Sequence, residues 1–99
     1  MSRRYVLSPA AQADLEQIWD YSCERWSVDQ AEKYVRGIQR AIERVVDNPL
    51  IGQSCEEVRA GYRRHGVGSH SLYYRIASGD LIDVVRVLHQ RMDVDRHLD

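Results

Sequence analysis

An α+β fold is predicted for this chain of 99 residues: an N-terminal strand, an α-helical hairpin, then a three-stranded antiparallel meander, with the helices on one face of the sheet. Three observations predict it. Apolar residues recur at three- and four-residue spacing from position 9 to 47, the spacing changes to short strand-like runs beyond Gly61, and two capping sequences mark where helices begin. The length fits one domain, taken as residues 1–99.

Arg4 to Leu7 is short and partly apolar, and reads as the first strand. Ser8 then stands where a helix cap is needed, with Pro9 suited to the first turn. Ala11, Leu15, Ile18, Trp19, Ser22 and Trp26 form one stripe of a helix over Pro9 to Arg25, while Asp14, Glu16, Gln17 and Asp20 are expected to stay in water. Ser27 and Gln30 have the spacing of a capping box and open a second helix. Its stripe of Ala31, Tyr34, Val35, Ile38, Ala41, Ile42 and Val45 is the clearest periodicity in the chain, and Asn48-Pro49 ends it.

Leu50 to Ala60 reads as a surface connection. The meander comes next as Tyr62 to His65, Ser69 to Ile76 and Leu81 to His89, separated by Gly66-Val67-Gly68 and Ser78-Gly79-Asp80. The last run is almost continuously apolar and β-branched, which suits an interior strand covered on both faces. Pairing of the N-terminal strand against the meander would give four strands.

The charge is divided along the chain. Residues 1–57 hold seven basic and ten acidic side chains, whereas residues 58–99 hold seven basic and five acidic, every cation in the second half being arginine. Arginine suits bidentate pairing with phosphate or carboxylate. His65, His70 and His89 lie in the body of that half, and His97 in its tail. Arg63, Arg64, Arg75, Arg86 and Arg91 are expected on or beside the meander, with their cations on the sheet face turned from the helices if the alternation holds. Strict alternation places Arg86 with Ile82, Val84 and Leu88, and His89 with Val85 and Val87. Interleaved with Tyr62, Tyr73 and Tyr74, these cations form a surface suited to a nucleic acid or an acidic protein. Solvated or paired surface residues are the simpler reading for any single one, with Asp80 and Asp83 as partners.

Several classes of function are excluded. No GxSxG, HExxH, P-loop or paired-carboxylate pattern is present, so neither a cofactor nor a metal is expected. Cys23 and Cys55 lack CxxC spacing and read as reduced thiols. No apolar run approaches a membrane span, and the N-terminus has no signal-peptide core, so a soluble cytoplasmic chain is expected. Phosphodiester cleavage by an arginine and histidine surface remains, with His89 as acid or base and Arg75 or Arg86 stabilising charge.

Ser8-Pro9-Ala10-Ala11 with Asp14-Leu15, Tyr73-Tyr74-Arg75, and Val84-Val85-Arg86-Val87-Leu88-His89, in that order of elements, resemble the RelE/ParE toxin superfamily. The likeness covers essentially the whole chain, and His89-Gln90-Arg91-Met92-Asp93 is most similar to the ParE branch. Membership implies a helical hairpin on a twisted antiparallel sheet and a neighbouring ParD-like antitoxin in a hetero-oligomer. ParE-like members poison DNA gyrase, and RelE-like members cleave messenger RNA in the ribosome.

The resemblance thus implies a gyrase-inhibiting toxin, with Arg63, Arg64, Arg75, Arg86, His89 and Arg91 serving toxicity and DNA met only through the antitoxin or the gyrase complex. The alternative is a ribosome-dependent nuclease using Arg75, Arg86 and His89 as catalytic residues. Gln90 in place of a tyrosine, and the absence of lysine from residues 58–99, speak against it. A third reading keeps antitoxin binding without toxicity. Antitoxin contacts are expected at Trp19, Tyr21, Trp26 and Tyr34, although Trp19 and Tyr34 also lie on core stripes.

Overall fold

The computed structural model describes residues 4–91. Met92 and Asp93 of the tail motif, His97 and both ends of the 1–99 domain assignment lie outside the described residues. The elements are β1 (Tyr5–Leu7), α1 (Pro9–Arg25), α2 (Val28–Asp47), β2 (Gln53–Ser54), β3 (Tyr62–Val67), β4 (His70–Ile76) and β5 (Ile82–His89), with a 3₁₀ turn at Ser78–Asp80. Both helices begin at the predicted caps. The Ser8 hydroxyl accepts the Ala11 amide at 3.0 Å, and the Ser27 hydroxyl accepts the Gln30 amide at 3.2 Å, so each satisfies an amide that the first turn leaves without an intrahelical acceptor.

Among the described residues the sheet has five strands, in the order β1-β5-β4-β3-β2. The meander is antiparallel as expected, while β1 runs parallel to β5, with Tyr5 beside Ile82 and Leu7 beside Val84. The fifth strand is β2, inside the segment read as a connection, where Gln53 and Ser54 pair with Arg64 and Arg63. The main core lies between the helical hairpin and the sheet: Ile38, Ala41, Ile42 and Val45 of α2 meet Leu72, Tyr74, Ile82, Val84 and Val87. A smaller core on the opposite face joins Cys55 to Tyr73 and Leu88, flanked by Val58, Tyr62 and Val85. Strand β5 is therefore interior and apolar on both faces, as its composition requires.

An irregularity in β5 decides where its later side chains point. Tyr73 pairs with Arg86 but Tyr74 pairs with Val84, so Val85 is an extra residue bulged out of β5. The bulge resets the alternation. Val87 joins Ile82 and Val84 beneath the helices, and Leu88 joins Val85 on the other face, correcting the strict alternation expected from sequence. The start of α1 holds the bulge. The Ser8 amide donates to the Val84 carbonyl at 3.0 Å and its hydroxyl to the Val85 carbonyl at 2.6 Å.

The bulge also redirects Arg86, whose guanidinium forms a two-pronged pair with Asp14 at 2.8 Å on each prong, while the same carboxylate accepts the Val87 amide at 3.0 Å. Asp14, expected in water, is buried. This carboxylate pins α1 to the displaced strand, and its hydrogen bonds raise the Arg86 pKa further. Trp26, placed on the α1 stripe by spacing, is instead the residue that ends the helix, and it is exposed.

Candidate functional site: a groove between helix and sheet

The two helices are joined by Trp26 and Ser27 alone, so the hairpin turns sharply and leaves its aromatic side chains beside the end of the sheet. There a largely apolar groove of about 450 Å³ opens, walled by Ile18, Tyr21, Ser22, Arg25 and Trp26 on one side and by Tyr34, His70, Val87 and His89 on the other. Trp26 and Tyr21 are 54% and 58% exposed, so two large aromatic surfaces reach water where an unpartnered fold would cover them. Arg25 sits over the Tyr21 ring at 5.9 Å.

A chain of contacts crosses the groove wall. Trp26 leans on Tyr34 with ring centroids 6.1 Å apart, Tyr34 meets His70 edge-on at 5.6 Å, and His70 meets His89 edge-on at 5.3 Å. The Tyr34 hydroxyl accepts the Ser69 amide at 2.9 Å and lies 2.6 Å from His70 Nδ1. Gly68 makes room for this: its φ is +58°, and a Cβ there would fall 2.7 Å from the Tyr34 ring. Burial, followed by the neighbouring His89, lowers the His70 pKa, opposed by Asp14.

Three of the four residues expected to meet an antitoxin, Tyr21, Trp26 and Tyr34, converge on the groove, and half-buried Trp19 does not line it. The arginines do not share a face. Arg64 pairs in register with Tyr73, and Arg75, bonded to Asp83 at 3.0 Å, with Tyr62, which places both on the outer face. Arg63 pairs with Tyr74 on the helix side, and its Nε donates to the Gly52 carbonyl at 3.0 Å. The same loop is tied by the buried Tyr74 hydroxyl, which donates to the Pro49 carbonyl and accepts the Gly52 amide.

Arg86 belongs to the Asp14 pair, and Arg91 is exposed beyond β5. The expectation of a single cationic face is corrected accordingly, because the bulge and the strand register separate these side chains. Arg75, Arg86 and His89 occupy the outer face, the α1 contact and the groove, so they do not converge on one reacting atom. The residues that sequence reasoning left without a role are Asp14 and His70. An acid three residues after Ala11 and four before Ile18, on the core stripe itself, was the signal for Asp14.

On the outer face Gln53, Arg64, Ser71, Tyr73 and Gln90 line a second, more polar hollow of about 460 Å³. Among the described residues no three His, Cys, Asp or Glu side chains are grouped to hold a metal, and no helix is long and apolar enough to cross a membrane. The two cysteines are free thiols, with burial and then Glu57 raising the Cys55 pKa.

This arrangement of hairpin, bulged sheet and groove can be set beside known proteins. The family model described as "ParE toxin of type II toxin-antitoxin system, parDE" matches residues 5–94. The chain belongs to the ParE toxin family. Toxin ParE1 of Mycobacterium tuberculosis is 62% identical over 98 residues, covering 99% of this chain and 100% of the relative. Toxin ParE1 of Caulobacter vibrioides is 48% identical over 94 residues, covering 95% and 96%. A solved chain from the "Chromosomal ParDE TA system from P. aeruginosa" superposes with a TM-score of 0.75 at 20% identity, over 87% of this chain and 94% of that one, a likeness of fold. As a ParE toxin of a type II toxin-antitoxin system, the chain has an antitoxin as its partner class.

Proposed function

We propose that this ParE-family chain inhibits DNA gyrase as a binding poison and that a ParD-like antitoxin silences it by laying an apolar segment into the groove between α1 and the sheet. The observation that carries the antitoxin part is the pair of exposed aromatics, Tyr21 and Trp26, beside half-buried Tyr34 on one apolar groove. Apolar helices and extended segments bind by filling such grooves, and aromatic anchors supply much of the energy. The gyrase part rests on family membership and on the dispersal of Arg75, Arg86 and His89, which supports a binder over the ribosome-dependent nuclease. Of the cations assigned to toxicity, Arg64, Arg75 and Arg91 are exposed to meet a target, while Arg63 and Arg86 hold the loop and α1, and His89 lines the groove.

Expression in cells with and without the antitoxin tests this reading. The chain alone is expected to arrest growth with DNA breaks and intact transcripts, and the antitoxin to restore growth. Trp26→Ala, which removes an exposed ring, is expected to weaken antitoxin capture by about 2 kcal/mol, the scale of an interface anchor. Cut transcripts with unbroken DNA would favour the nuclease, and unchanged capture by Trp26→Ala would place the antitoxin elsewhere.

A further inference from the structure

The groove wall holds two imidazoles packed against its aromatic lining. Tyr34 Oη already accepts the Ser69 amide, so its single proton is available to His70 Nδ1, 2.6 Å away. With the phenol as donor, Nδ1 is the unprotonated nitrogen of a neutral ring. The Arg91 amide likewise donates to His89 Nδ1 at 3.1 Å, so this nitrogen too is an acceptor. The two rings pack edge-on at 5.3 Å.

We propose that Tyr34, His70 and His89 form a protonation switch in the wall of the groove, so that acidification loosens the grip on the antitoxin segment. The switch rests on the reading that this segment occupies the groove. A proton taken up at His70 Nδ1 turns the acceptor into a donor, so the hydrogen bond to Tyr34 must reverse and the phenol must turn its own hydrogen elsewhere. Tyr34 is in contact with Trp26, and the disturbance reaches the exposed aromatic edge of the groove.

The charged surroundings oppose protonation more than they favour it. Arg25 of α1, Arg86 and His89 of β5 and Arg91 beyond it are cations or potential cations around this wall, whereas Asp14, its carboxylate occupied by Arg86, is the one acid lining the groove among the described residues. Tyr21 and Tyr34 are the other titratable groups lining the groove from the helices, and Lys33 of α2 lies beside Tyr34 and Trp26. An apolar segment seated on the groove removes His70 from water still further, and burial penalises its charged form. The partner consequently prefers the neutral ring. Because burial holds the His70 pKa below its ordinary value, affinity is at its full value well above the ordinary imidazole range and falls as the pH drops through the lowered midpoint.

Titration calorimetry of the chain with its ParD-like antitoxin at about pH 7.5 and about pH 5 tests this, with His70→Gln alongside and NMR of the full chain alone over the same range. The wild-type affinity is expected to fall about tenfold by one pH unit below the His70 midpoint, since one unit is a factor of ten in the neutral fraction. The fall should shrink in His70→Gln, which cannot take up that proton while the antitoxin keeps its own titrating groups. In the chain alone, Tyr34 and Trp26 resonances should move with the His70 midpoint.

Equal pH dependence in wild type and variant, or tighter binding in acid, would overturn the switch. Tyr34 and Trp26 resonances indifferent to His70 protonation would overturn it as well, and that readout stands even where the variant fails to fold. An antitoxin that does not bind at about pH 7.5 removes the groove reading instead, and the NMR titration then decides the switch by itself.

Discussion

Asp14 shows how one carboxylate can organise a small domain. It accepts both prongs of Arg86 and the Val87 amide, and so joins the middle of α1 to the strand just past the bulge. A buried charge left without its partner costs far more than the intact pair contributes. Asp14→Ala removes both prongs from the Arg86 guanidinium, whose side chain is 21% exposed, and the acceptor of the buried Val87 amide. A loss of about 3 kcal/mol in urea unfolding is expected, near the low end for a broken buried pair because Arg86 retains some water. A loss below about 1 kcal/mol, the scale of an exposed pair, would mean that the carboxylate is not the pin. Sequence alone placed Asp14 in water, because acids on amphipathic helices usually face solvent and its partner lies 72 positions away. His70 was hidden for a similar reason: its role depends on Tyr34 and His89, which meet only through the fold.

At the scale of elements, the helices were legible and the sheet only partly so. Ser8 and Ser27 announce both helix starts in local chemistry, and α1 spans Pro9–Arg25 as spacing alone predicts. Strand β2 left no such mark, since two exposed residues are too few to show alternation. The bulge was concealed inside an apolar run, where a shift of phase changes no residue type. Parallel pairing of β1 was likewise invisible, because the pattern indicates that a strand exists and not which way it runs. Ser8 serves both elements at once, capping α1 and holding the Val85 carbonyl at the bulge. Ser8→Ala is expected to cost about 2 kcal/mol, the upper part of the range for an N-cap, read as a lowered midpoint in thermal melting. A cost of about 1 kcal/mol, typical of an N-cap alone, would show that the cap carries the whole effect and the bulge contact none.

For the whole molecule, the two faces of the sheet divide the work. The helix side carries the main core and ends in an apolar groove, while the outer face carries a smaller core with Arg64 and Arg75 beside it. The antitoxin site proposed for the groove overlaps little with the exposed cations proposed for the target. Silencing by the antitoxin would then act by covering the toxin beyond the groove, while its binding stabilises the folded form by mass action. The resemblance read from sequence reached the family because its motifs are short contiguous runs, each legible without the fold, whereas the separation of the arginines required the strand register.

Gyrase inhibition itself is tested by a supercoiling assay on relaxed plasmid with the purified chain, with and without its antitoxin. Dose-dependent loss of supercoiling that stoichiometric antitoxin reverses is the expected result. Undiminished supercoiling by folded protein at concentrations that arrest cell growth would contradict it.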